Sequence, residues 1–162
     1  MAFNRQGMEI QDKIVVITGS SKGLGKSLAY AFAGKGAKVV VNARNKDELI
    51  EVASDIGGFP VVADVTKEGE VLALANAVIN KYGRIDIWVN NAGIWMPHAP
   101  IEEMDWGKVH DLVEVNLFGT IYGSKAALIQ MRKQDSGIII NIISTSGLQG
   151  RPTSSGYCAS KY

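Results

Sequence analysis

The sequence predicts a doubly wound α/β fold built on a parallel sheet, and two observations carry that expectation. Short β-branched runs alternate along the chain with longer stretches of helical spacing, the pattern of repeated strand–helix–strand units. Most of these runs are apolar at successive positions rather than at every second one, as expected of strands covered on both faces. A chain of 162 residues, 46% of them hydrophobic, is long enough to bury one sizeable core and short for two. One domain beginning near residue 13 is expected, preceded by a polar lead-in over residues 1–12.

The expected strands are "KIVVIT" (13–18), "AKVVVN" (37–42), "FPVVAD" (59–64), "RIDIWVN" (84–90) and "GIIINII" (137–143). Between the first two, Leu24, Leu28, Ala31 and Phe32 make an apolar helical stripe. Val71, Leu74, Ala75 and Val78 make another, with Thr66 available as its N-cap. The longest helix is expected over about 105–134. It carries Gly119, Gly123, Ala126 and Ala127, small residues that permit close approach of another backbone or simply tight packing on the sheet.

Composition narrows the function classes. A net charge of +1 gives no electrostatic basis for a nucleic-acid or membrane-surface partner. No apolar run reaches membrane-spanning length, and the N-terminal segment has no apolar core of a secretory signal. The single cysteine, Cys158, has no internal partner and fits a reducing compartment, so a cytoplasmic location is expected. His98 and His110 lack companions at metal-ligand spacing, and no metal site is expected.

The segment "TGSSKGLG" (18–25) falls directly between the first strand and the first helix. Gly19 permits a tight turn, while Gly23 and Gly25 let a pyrophosphate approach the backbone and let the helix pack close to the strand. The helix N-terminus offers free N–H groups to the phosphates. The spacing is G-x-x-x-G-x-G rather than G-x-G-x-x-G, so position in the fold carries more weight here than the motif. At the end of the second strand, "VNARNK" presents Asn42 where an acidic residue would hold the ribose hydroxyls. Arg44 follows, and Lys22 lies in the glycine turn. Two cations without a carboxylate suit a 2′-phosphate, hence NADP rather than NAD. The plainer alternative is a solvated turn of Arg44, Asn45 and Lys46 before a helix.

Tyr157 and Lys161, in "YCASK", stand one helical turn apart on the same face. A phenol with a reference pKa of about 10 is a poor proton carrier near neutrality, and a neighbouring ammonium favours its ionised form. Ser144, just past the fifth strand, would lie at the C-terminal edge of the sheet, where open α/β folds bind ligands. There it can polarise a carbonyl oxygen.

Taken together, "TGSSKGLG", "NNAG" (90–93), Asn116, Ser144 and "YCASK" strongly resemble the short-chain dehydrogenase/reductase family in order and approximate spacing. The resemblance implies a Rossmann fold with five strands present and the family's C-terminal strands absent. It implies that Tyr157 is the general acid/base, that Lys161 favours its phenolate and holds the nicotinamide ribose, and that Ser144 orients the substrate oxygen. Asn116 would interrupt its helix and anchor a water in a proton relay. Cofactor contacts would come from Gly19, Ser21, Lys22, Gly23, Leu24, Gly25, Asn42, Arg44, Asp64, Val65, Asn91, Ala92, Gly93, Tyr157 and Lys161. Asp64 would meet the adenine through its side chain and Val65 through its backbone.

The expected activity is therefore NADP(H)-dependent interconversion of a carbonyl and an alcohol on a small-molecule substrate. Family members continue past this point with a sixth strand, a substrate loop and a seventh strand. The isolated chain is accordingly expected to turn over negligibly, and a homo-oligomer is expected only of a full-length version. The alternatives are a non-catalytic dinucleotide-binding module and an inactive fragment. Trp95 and Met96, after "NNAG", would line a substrate pocket or cover the core edge, Trp88 would be core, and Cys158 packing rather than a nucleophile.

Overall fold

The computed structural model describes residues 9–162. Five parallel strands form one sheet in the order β3-β2-β1-β4-β5. They are β1 (Ile14–Ile17), β2 (Lys38–Ala43), β3 (Phe59–Val62), β4 (Ile87–Asn90) and β5 (Ile138–Asn141). Each is one to three residues offset or shorter at its ends than the sequence suggests. The chain leaves β1 for β2 on one side and returns to β4 on the other. A topological switch thus falls beside β1, where a crevice opens at the carboxyl ends of the strands.

Alternation along the central strands explains why both faces are covered. Val15, Ile17, Val39, Val41, Ile87 and Val89 pack on one face with Ala29 of α1 (Gly23–Ala33) and Leu49, Val52 and Ala53 of α2 (Lys46–Ile56). Ile14, Val16, Val40 and Trp88 pack on the other with Val71, Leu74, Ala75 and Val78 of α3 (Glu68–Tyr82). Ala126, Ala127 and Met131 of α5 (Gly119–Gln134) complete that layer. The α3 stripe and the core position of Trp88 follow the sequence expectation. The α1 stripe follows it in part: Leu28 and Phe32 pack against the core, Leu24 and Ala31 are exposed, and Gly25 and Ala29 are the helix's buried residues. Thr66 does not cap α3 either. Its hydroxyl donates to Asp64 Oδ1 (2.9 Å), and Lys67 occupies the N-cap without a side-chain bond.

The long helix expected over 105–134 is continuous but not uniform. Asp105 caps α4 (Trp106–Val113) by accepting from the Gly107 and Lys108 amides. A π-helical turn then runs over Glu114–Phe118 before α5 begins. The small residues pack inward: Gly119 lies against Val65, and a Cβ on Gly123 would overlap Asn90 Oδ1. Among the described residues no helix is long and apolar enough to cross a membrane. No group of three His, Cys, Asp or Glu side chains among them is placed to hold a metal ion.

Candidate functional site

A cleft of about 620 Å³ opens along the carboxyl ends of β1, β2 and β4, within the size range of small-molecule and cofactor sites. Its floor is the glycine turn, which is tied down from two directions. Ser20, fully buried, donates from its hydroxyl to the Ile17 carbonyl (2.9 Å), accepts from the Asn42 amide (2.9 Å), and donates its own amide to the Asn42 carbonyl (2.9 Å). From the other side, Thr18 Oγ1 accepts from the Asn91 and Ala92 amides (3.1 and 3.0 Å), and Asn91 Nδ2 donates to the Thr18 and Gly19 carbonyls (2.8 and 3.0 Å). Gly19 has φ +63° and no room for a Cβ, which would lie 2.7 Å from Ala92 Cα. Gly23 has φ +57° but open space before it, and α1 starts there with its N-cap, Lys22, making no side-chain bond. A turn held this rigidly, with a helix N-terminus and a residue lacking Cβ facing the opening, suits an anionic pyrophosphate.

At one end the cleft is lined by Asn42, Ala43, Arg44, Asp64 and Val65. Asn42 does not point freely at a ribose as the sequence reading expects. It is fully buried, and its Nδ2 donates to the Val61 and Ala63 carbonyls (both 3.1 Å), which stitches β2 to β3. Its Oδ1 is buried without a partner, an orphaned acceptor beside the cleft. Arg44 is exposed and stands 4.0 Å from Asp64. Burial raises the Asp64 carboxyl, but hydrogen bonds from the Thr66 amide (3.0 Å) and hydroxyl, with the Arg44 and Lys67 charges, outweigh it and leave the group below the ordinary carboxylate value. The turn is solvated and leads into a helix, as the plainer reading has it, with Arg44, Asn45 and Lys46 all exposed and Asn45 capping α2 through the Asp47 and Glu48 amides; Arg44 and Asn45 also lie in the cleft wall.

The other end is lined by Gly93, Ile94, Trp95, Ile142, Ile143, Tyr157 and Lys161. Tyr157 and Lys161 sit on α6 (Ser155–Lys161). Lys161 Nζ donates to the Ile142 carbonyl (3.2 Å), and burial pushes its pKa below the usual lysine value. Asn116, in the π-helical turn, clamps the loop that follows "NNAG": Oδ1 accepts from the Ile94 amide (2.8 Å), and Nδ2 donates to the Ile94 carbonyl (3.0 Å) and to Ser160 Oγ (3.0 Å). A Cβ on Gly93 would lie 3.2 Å from Asn116 Oδ1 and 3.3 Å from Lys161 Nζ, so both side chains converge on this glycine. Ser144 and Asn116 do not line the cleft themselves. Ser144 Oγ accepts from the Ser146 amide (3.1 Å) in a 3₁₀ turn over Thr145–Gly147, whose Gly147 packs against the Lys161 carbonyl. Met96 is buried with Met104 and Leu112, whereas Trp95 is 58% exposed and faces the opening. Cys158 is half-buried and free.

Every residue expected to contact a cofactor therefore lines one cavity, and the four expected acid–base residues gather at one end of it or directly behind it. Thr18, Ala43 and Glu48 belong to the site and are not picked out in the sequence. Thr18 carried a signal, as a hydroxyl at the strand end that can donate and accept at once. An alanine and a first-turn glutamate carry none.

The chain matches the family model described as "short chain dehydrogenase" over residues 13–162. It is 41% identical over 156 residues to an uncharacterized oxidoreductase of Staphylococcus saprophyticus, covering 94% of this chain and 63% of that one. It is 35% identical over 161 residues to the 3-oxoacyl-[acyl-carrier-protein] reductase of Thermotoga maritima, covering 95% and 64%. The crystal structure of levodione reductase superposes with a TM-score of 0.89 at 34% identity, covering 93% of this chain and 61% of that one. The chain belongs to the short-chain dehydrogenase/reductase family, an enzyme family of oxidoreductases with the Rossmann fold. It spans somewhat under two thirds of the length of these relatives.

Proposed function

We propose that the chain carries the dinucleotide-binding and acid–base parts of an NADP(H)-dependent oxidoreductase that interconverts a carbonyl and an alcohol. The observation that carries this reading is that Tyr157 and Lys161 share one cleft with the glycine turn and with Arg44. The site fits a nicotinamide dinucleotide. The rigid glycine turn would hold the pyrophosphate, Arg44 and Lys22 the 2′-phosphate, and Asp64 and Val65 the adenine edge. The hydride chemistry is the nicotinamide's when bound.

The chain's own residues manage position and protons. Tyr157 donates its phenolic proton to a carbonyl oxygen in reduction, or accepts one from an alcohol in oxidation. The Lys161 ammonium, held by the Ile142 carbonyl, favours the phenolate left behind. Asn116 keeps Gly93 and Ile94 in place against Lys161; Ser144, at the edge of the cleft with its Oγ accepting from the Ser146 amide, retains its hydroxyl proton and would donate it to the substrate oxygen.

A second reading, a dinucleotide-binding module without turnover, draws on one observation. At the Tyr157 end the apolar side chains Trp95, Ile143 and Leu148 are 58, 67 and 80% exposed, so the reacting region is open to water, and slow chemistry is expected of the 162-residue chain. NADPH absorbance followed with a panel of ketones and aldehydes separates the readings. Carbonyl-dependent oxidation that drops by about 10²–10⁴-fold in Tyr157→Phe supports the enzyme. NADPH binding with no carbonyl-dependent oxidation supports the module, and oxidation indifferent to Tyr157→Phe contradicts the role given to Tyr157.

A further inference from the structure

We infer that Glu48 sets cofactor specificity, as a carboxylate placed against the 2′-phosphate that narrows the preference between NADP(H) and NAD(H). The inference rests on the reading of the Arg44 end of the cleft as the adenosine end. Glu48 lies in the first turn of α2 and lines the same cavity as Ser21, Lys22, Ala43 and Arg44. It is fixed toward the glycine turn, because Ser21 Oγ donates to its Oε2 at 3.1 Å. The hydroxyl expected to serve the cofactor is thereby already engaged by an anion.

The charges around this end change the argument from "VNARNK". The sequence offers Arg44 there and Lys22 in the glycine turn with no carboxylate at the strand end, but this end of the folded cleft sets Lys22 and Arg44 against Glu48 and Asp64. Asp64 neutralises part of Arg44 at 4.0 Å. Glu48 forms no ion pair among the described residues; its charge is met only by the Ser21 hydroxyl and the N-terminal end of α2. A carboxylate accepts hydrogen bonds and donates none. It repels a phosphate carrying nearly two negative charges and welcomes the 2′-hydroxyl of an unphosphorylated ribose, the task an acid at the strand end would perform. Arg44 and Glu48 thus pull the choice in opposite directions.

The test uses adenosine 2′,5′-bisphosphate and adenosine 5′-monophosphate as probes of this end alone, titrated calorimetrically into the 162-residue chain and its Glu48→Gln and Arg44→Ala variants. Glutamine keeps an acceptor for Ser21, removes the charge and exchanges the second acceptor oxygen for an N–H donor. Glu48→Gln is expected to tighten the bisphosphate roughly three- to tenfold while leaving the monophosphate unchanged or weaker. Equal shifts for both ligands, or none, overturn the inference. Arg44→Ala reads the underlying assignment separately. If it leaves the ratio of the two affinities unchanged, Arg44 does not hold the 2′-phosphate, whatever Glu48 does.

Discussion

Asn116 spends all three of its side-chain bonds on Ile94 and Ser160 and is itself buried. Removing it strands the Ile94 amide and carbonyl and takes a donor from Ser160 Oγ, which keeps its bond to the Tyr157 carbonyl (2.9 Å). Asn116→Ala is expected to lower unfolding stability by about 2–4 kcal/mol in urea titration. Asn116→Asp should also destabilise, since a carboxylate cannot donate to the Ile94 carbonyl. Asp64 makes a pH-dependent contribution. Its folded pKa is lowered, so its stabilisation is complete above the unfolded value of 3.8 and fades as pH falls through the folded value. The urea midpoints of wild type and Asp64→Asn should therefore differ at pH 7 and converge below pH 3.8. A gap that widens on acidification would contradict the hydrogen-bond pattern assigned to Asp64. Asn116 was singled out only by the family resemblance, and its partners were not legible, because they come from segments 22 and 44 residues away.

At the scale of elements, the two helices that pack on β4 and β1 test the close-approach argument through their glycines. Gly123 of α5 faces Asn90 Oδ1 and Trp88 Nε1 with no space for a methyl. Gly69 of α3 faces nothing within 4 Å. Alanine normally favours a helix over glycine by about 1 kcal/mol. Gly69→Ala should raise the thermal midpoint, whereas Gly123→Ala should lower stability by about 1–3 kcal/mol through overpacking. Midpoints moving in the same direction would show that packing at Gly123 is not tight. Element type was readable throughout, since all five strands and the main helices fall where periodicity suggests. Boundaries and faces were less so. Leu24 lies on the cleft side of α1 because the helix begins at the ligand-facing turn, and a spacing pattern does not distinguish a wall of a cleft from a core. The π-helical turn at Glu114–Phe118 leaves no mark in the apolar spacing, which continues through it; the interruption was signalled only by the family resemblance, at Asn116.

For the whole molecule, the sheet is well covered at its centre and open at β5. That strand pairs with β4 alone, and Ile138 and Ile140 on it are exposed. An apolar edge of this kind invites pairing with another chain. The 162-residue chain should self-associate with rising concentration in light scattering, and Ile140→Lys should suppress this without unfolding the protein. Suppression absent in a folded Ile140→Lys variant would place the contact elsewhere. The cleft, by contrast, is assembled entirely from segments the chain contains. The glycine turn, "NNAG" and the Tyr157–Lys161 pair were each legible because they combine residue type with a fixed place in the fold. The charge balance at the Arg44 end was not: Asp64 was expected there as an adenine contact, but Glu48 carried no sequence signal and reaches it only through folding.

The cleft is proposed to take a nicotinamide dinucleotide and to recognise its 2′-phosphate. The most direct measurement is an equilibrium titration of the 162-residue chain with NADPH and with NADH, followed through the fluorescence of Trp95 in the cleft wall. Saturable quenching is predicted with both, with NADPH the tighter by roughly three- to tenfold, and with that advantage lost in Arg44→Ala. Binding of neither nucleotide, or a preference for NADH, would contradict it.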